Sequence, residues 1–324
     1  VKEDAGPVID MFGGKLPVKP GDYIITTETK KPVKANTLTG KASYRIDNGW
    51  IVVPVSIGDG KKLNFVVDLA ATSSVIDRAF LPPGIEINKM EMVEYSVNGE
   101  TKKEAAMQGA TGKVEQHLLA GKAQLKQIKI DEMEIDELNI SVLNSFPGKL
   151  KKAGIAGIIG TDILMRSGTL SFLSLNKGKG TIQFGSGIEN AETGIEIPFT
   201  MAGGLLFTDG TIGSTPIRFL FDTGARETIL SKSFAEEHHL VYPVVNNNKT
   251  ITGIDDKPLP VNVVKVPSFT IHGYSFGNTN MILADIAALS AFGLNRSSAI
   301  LGMDFFRQYN SMELDFNKRR IILQ

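Results

Sequence analysis

The sequence predicts a mainly β protein built as two related lobes, with a cleft between them and only a few short helices. Three observations carry this expectation. Residues 63–76, LNFVVDLAATSSVI, and residues 217–230, IRFLFDTGARETIL, repeat one pattern: an apolar strand, an aspartate, small residues, a hydroxyl residue and a second apolar strand. The two aspartates, Asp68 and Asp222, are 154 residues apart (222 − 68 = 154). A second landmark repeats in the same order, Ile158-Ile159-Gly160-Thr161-Asp162 against Ile300-Leu301-Gly302-Met303-Asp304. Finally, long stretches of helical periodicity are missing, which argues against a parallel doubly wound architecture.

The elements follow from these landmarks. Trp50-Ile51-Val52-Val53-Pro54-Val55-Ser56-Ile57 and Val261-Asn262-Val263-Val264-Lys265-Val266 are rich in β-branched residues and read as strands. Each half closes on a hairpin, Thr169–Phe172 to Thr181–Phe184 and Ser311–Phe316 to Arg320–Leu323, across turns rich in Asn, Lys and Gly. Helices are expected only at Lys232–Leu240, Thr161–Arg166, Asp304–Tyr309 and Asp285–Phe292. The repeat places a first lobe at 41–190 and a second at 191–324, divided in the small and polar stretch from Gly185 to Gly194. Residues 1–40 stand outside both and read as an extension that adds strands to the first lobe.

Composition bounds the chemistry. With 324 residues, 42% hydrophobic and 22% charged, the chain has ample material for a core. Lys+Arg and Asp+Glu balance at 35 each, so no global positive field exists for nucleic acid or an anionic membrane. The absence of cysteine removes disulfides, thiolate metal sites and cysteine nucleophiles. No apolar run approaches the roughly 18 residues of a membrane span. Lack of cysteine fits either side of a membrane, and an extracytoplasmic location is the expectation.

A carboxylate directly after Phe219-Leu220-Phe221 sits at the end of a buried strand, where desolvation is costly unless a proton or hydrogen bonds offset it. If Asp68 takes the matching place, the two carboxyls meet, and like charges at that distance share one proton. A water between them then faces a base on one side and an acid on the other, which suits addition of water to an amide carbonyl.

Phe221-Asp222-Thr223-Gly224-Ala225, with Thr228-Ile229-Leu230 and Ile300-Leu301-Gly302 downstream, resembles the retropepsin-like branch of the aspartic proteases, once per half over most of 45–324. The resemblance implies an acid-protease-like fold, endopeptidase activity on peptide or protein substrates, and no metal or organic cofactor. It makes Asp68 and Asp222 the catalytic pair, and Gly160 and Gly302 structural buttresses. Substrate would lie over Leu69, Ala70, Ala71, Thr223, Gly224 and Ala225, beneath hairpin flaps carrying Gly109 and Ala110 in one half and Gly253 and Ile254 in the other. With both modules in one chain, a monomer is expected.

The first motif departs from the pattern: Asp68-Leu69-Ala70-Ala71 stands where Asp-Thr-Gly-Ala is usual. Leu69 has no hydroxyl to offer across the lobes, and a turn requiring positive φ at Ala70 would be strained. A homologue that binds extended peptide without cutting it is therefore the alternative, and a β scaffold serving only in interactions is a third. Arg226 and Glu227 either line the cleft or pair with each other. Glu236-Glu237-His238-His239 reads as a solvated helix face, and Glu132–Glu137 as an exposed strand edge.

Overall fold

The computed structural model describes residues 38–88, 93–97, 100–104, 119–188, 194–202, 204–252, 258–285 and 298–324. The first half supplies β1 (Gly40–Asp47), β2 (Trp50–Ile57), β3 (Leu63–Val67), β4 (Val75–Asp77), β5 (Val93–Val97), β6 (Glu100–Glu104), β7 (Leu119–Ile130), β8 (Met133–Leu143), β9 (Ile155–Ile159), β10 (Thr169–Leu173) and β11 (Lys179–Phe184). The second supplies β12 (Ile195–Pro198), β13 (Thr200–Ala202), β14 (Leu205–Ile212), β15 (Thr215–Phe221), β16 (Ile229–Leu230), β17 (Val244–Thr252), β18 (Pro258–Ile271), β19 (Tyr274–Leu283), β20 (Ser298–Leu301), β21 (Ser311–Asp315) and β22 (Arg320–Leu323). Among the described residues the α-helices are short: α1 (Gly148–Lys152), α2 (Thr161–Leu164), α3 (Lys232–Glu237) and α4 (Met303–Phe306).

The strands close into two barrels. β2-β3-β9-β4-β8-β7 returns to its start through pairing of β2 with β7, and β14-β15-β20-β16-β19-β18 returns through β14 and β18. Each is a six-stranded β-barrel, and the protein is mainly β. A third layer joins them: β12-β22-β21-β10-β11-β1 runs as one continuous stretch, with three strands from each half and the central seam between β10 and β21. The expected hairpins are the β10–β11 and β21–β22 pairs of this layer.

Alternation explains which faces are buried. β7 and β8 present Ala123, Leu125, Ile128, Ile130, Ile135, Leu138 and Ile140 inward, with Lys and Glu between them outward. Glu134, Asp136 and Glu137 thus lie on the solvent face of β8, alternating with buried Met133 and Ile135; this stretch pairs with β7 on one side, and β4 joins β8 only at Ser141–Leu143. Phe219, Phe269, Phe276, Phe305 and Phe306 pack the second half in tilted, edge-on and stacked contacts.

The helices are shorter than their patterns. α3 stops at Glu237, the turn after Thr161 passes from α2 into a 3₁₀ segment at Met165–Ser167, and the helix expected at 304–309 is α4, from Met303 to Phe306. Residues 286–292 and residues 1–37 lie outside the described residues, as does most of the expected extension. α1 was not foreseen, because Gly148-Lys149-Leu150-Lys151-Lys152 offers a single buried apolar residue, Leu150.

One topological device places the site. β9 inserts between β3 and β4, parallel to the first and antiparallel to the second. β20 inserts between β15 and β16 in the same sense. The chain leaving β3 or β15 must therefore cross the end of the inserted strand, and the crossing residues are 68–74 and 222–228.

Candidate functional site

Asp68 and Asp222 begin these crossings. Their amides donate to Ile159 O and Leu301 O at 3.0 Å each, continuing the parallel ladders by one bond before the chain turns. The turns are then closed by the carboxylates themselves: Ala70 N donates to Asp68 Oδ1 at 2.8 Å, while Gly224 N and Ala225 N donate to Asp222 Oδ1 at 2.8 and 2.9 Å.

The two carboxyls meet. A Cβ at Gly224 would overlap the Asp68 carboxyl, while Gly224 N itself donates to Asp222 Oδ1 at 2.8 Å. Both residues remain partly open to solvent. Burial raises the pKa of Asp68 above the usual carboxylate value, and burial together with the Asp68 charge raises that of Asp222 well above it. The pair is thus set to hold one proton through the acid range.

Under the floor, a single hydroxyl joins the halves. Thr223 Oγ1 donates to Val67 O at 2.8 Å and accepts from Leu69 N at 3.1 Å. Leu69 returns no hydroxyl; its side chain is fully buried in the main core. Thr223 and Leu69 were expected to face substrate, and their complete burial corrects this: both act beneath the surface. Ala70, Ala71, Gly224 and Ala225 retain partial exposure at the floor. Gly109, Ala110, Gly253 and Ile254 lie outside the described residues.

The strain expected at Ala70 is absent. Ala70 is not among the non-glycine residues with positive φ, so its methyl packs without backbone cost against the second-half cluster that includes Leu205, Phe207, Leu220 and Ile229. Glycine is required at 224 for a different reason, the close approach of Asp68.

Matched buttresses hold both turns. Ser74 Oγ and N donate to Asp162 at 2.7 and 2.9–3.0 Å, and Thr228 Oγ1 and N donate to Asp304 at 2.7 and 2.8 Å. Each hydroxyl also accepts from the glycine of its half, Gly160 N at 2.9 Å and Gly302 N at 3.3 Å. Thr161 N and Met303 N then donate to Ala71 O and Ala225 O at 2.8 and 2.9 Å. Sequence analysis found these residues as repeat landmarks but missed their pairing.

A Cβ at Gly302 would stand 2.6 Å from Glu227 C and 3.0 Å from Ala225 O, inside the second turn. Gly302→Ala should therefore displace the turn and cost about 1–3 kcal/mol, measured by denaturant unfolding.

Burial raises the pKa of Asp162 and Asp304 as well as that of the central pair. The sign follows: a carboxyl with a raised folded pKa binds its proton more tightly when folded, so stability grows as pH falls toward 3.8. Asp131 and Asp285 are lowered, by hydrogen bonds from Ser43 and from Ser231 and Ser233 respectively, and lose their contribution only below that value. The thermal midpoint should therefore rise between pH 7 and about pH 4, and a midpoint falling steadily through this window would contradict the assignment.

The charges beside the second turn do not pair with each other. Arg226 Nη1 donates to Asn48 O at 3.0 Å, with its guanidinium 5.5 Å from the Trp50 ring centroid. Glu227 pairs instead with Lys249 of β17. Among the described residues no group of His, Asp and Glu is arranged to hold a metal ion, and no helix is long and apolar enough to cross a membrane. Glu236, Glu237 and His238 are exposed, as expected.

Residues 208–305 match the family profile described as aspartyl protease, a span running from β14 through Asp222 and Gly302 into α4. No curated protein matches the chain.

Proposed function

We propose that this chain is an aspartic endopeptidase, with Asp68 and Asp222 as its dyad and two fused retropepsin-like modules, at 41–190 and 191–324, acting as a monomer. The observation that carries the reading is the convergence on Gly224 of two carboxyls 154 residues apart, each at the end of a matched strand. The aspartyl protease match over 208–305 supports it in the second half.

In this reading a water bridges the pair. The ionised carboxylate takes a proton from the water as its oxygen attacks the peptide carbonyl carbon, and the protonated partner gives its proton to the carbonyl oxygen. The resulting gem-diol collapses as the newly protonated carboxyl gives its proton to the amide nitrogen, the C–N bond breaks, and one gem-diol hydroxyl passes its proton to the other carboxylate. No covalent intermediate forms, and the one-proton state of the dyad is restored.

The substitutions Leu69 and Ala70 favour a second reading, a cleft that binds extended peptide without hydrolysing it. Mass spectrometry of an unfolded protein substrate incubated between pH 3 and 7 separates the two. The peptidase reading expects internal cleavage that requires both aspartates. Peptide binding without products at any pH would establish the second reading.

A further inference from the structure

The first half lacks the hydroxyl that would let it hold the second turn as Thr223 holds the first. Another group reaches across. Trp50, at the start of β2, donates from Nε1 to Gly224 O at 2.9 Å. That carbonyl belongs to the same peptide group as the Ala225 amide, and Ala225 N donates to Asp222 Oδ1 at 2.9 Å. One planar unit therefore links the indole N–H to the Asp222 carboxylate.

The indole is itself fixed. Its body packs with Val52, Val66, Leu143 and Phe146 in a cluster that also meets Ala71 of the first turn. Arg226 lies over the ring and is held by Asn48 O. Gly49 has φ +86°, and a Cβ there would press on Arg226 Cδ at 3.0 Å, so the turn before Trp50 is shaped to admit the guanidinium. Among the described residues the other half has no matching indole: Gly204 stands 154 residues after Trp50.

Building on the peptidase reading, we propose that Trp50 is a positioning residue. It holds the Gly224–Ala225 peptide plane and strengthens the amide bond to Asp222, taking over from the hydroxyl that Leu69 does not provide. A donor on the carbonyl polarises the amide, so the Ala225 N–H becomes a better donor to the carboxylate. The charged groups around this relay are Asp68 facing Asp222, Arg226 over the indole, and Glu227, paired with Lys249, at the next position of the turn.

Trp50 is the only tryptophan in the chain, so its emission reports on the relay without any substrate. Wild-type emission should titrate with the dyad between pH 3 and 7, and Asp222→Asn should remove that transition. An unchanged transition in Asp222→Asn, or none in wild type, overturns the proposal. This holds whether or not the protein cleaves peptides, so failure of the peptidase reading is seen separately as absence of products.

Where turnover is present, Trp50→Phe keeps an aromatic ring beneath Arg226 and deletes only the donor. It should lower kcat about tenfold with KM within twofold, and move the alkaline limb of the kcat profile upward, because the Asp222 carboxylate, the later of the pair to ionise, loses support. Val52→Ala, a loss in the same apolar cluster, should lower the thermal midpoint without moving that limb. Equal movement of the limb in both variants would reduce Trp50 to a packing role and sink the proposal.

Discussion

Asp222→Asn should abolish hydrolysis while leaving the fold intact, with kcat/KM falling by at least about 10³-fold, the scale of a lost general acid–base partner. The asparagine amide keeps the volume and can still accept from Gly224 N and Ala225 N through its oxygen, so the turn retains its closing bonds. What disappears is the shared proton. Because burial and the Asp68 charge both disfavour an ionised Asp222, the variant should melt no lower than wild type near neutral pH, and higher if the repulsion is felt there. Loss of activity accompanied by unfolding would leave the chemical argument unsupported; retained activity in a folded variant would refute it. Asp68→Asn should behave alike, and in wild type the ionisation of the second carboxyl, delayed by burial, should set an alkaline limb above the ordinary aspartate range.

Much of this site was legible in the sequence because its signals are local. An apolar strand, an acid and small residues lie consecutively, so their repetition at 68 and 222 announces itself without any knowledge of distant contacts. Gly160 and Gly302 were found by the same logic, and their close approach to the turns shows why no side chain stands there. The long-range pairings were not legible. Asp162 reaches Ser74 across 88 residues and Asp304 reaches Thr228 across 76, distances at which sequence spacing carries no geometric information.

Trp50 gave no motif either: it reads as the first residue of an apolar strand, and only the docking of the β1–β2 turn on the second half shows where its N–H goes. The expected strain at Ala70 failed for a related reason. It assumed that both turns impose the same demand, whereas the demand at Gly224 comes from contact with Asp68 and not from φ. Partnering of Arg226 with Asn48 and of Glu227 with Lys249 likewise depended on elements far away in the chain.

Thr223→Val should be the most destabilising change near the cleft that leaves the aspartates untouched. Valine matches threonine in shape, so packing is preserved and only the hydroxyl goes. Two bonds go with it: the buried Leu69 amide loses its acceptor and the Val67 carbonyl loses its donor. Each buried group left without its partner costs about 1–3 kcal/mol, so about 2–6 kcal/mol is at stake, read as a lower denaturant midpoint with an unchanged slope. A paired motif with a hydroxyl in each half would divide this cost, but here Leu69 has none and Thr223 carries both bonds alone. Thr223→Ser retains the oxygen and should recover most of the loss. Leu69→Ala, in contrast, should destabilise by about 2–5 kcal/mol through its cavity, with no serine-like rescue available. If Thr223→Val proved as stable as wild type, the halves would be held by the β10–β21 seam and the Trp50 and Arg226 bonds, and the hydroxyl would have no part in keeping Asp68 and Asp222 in register.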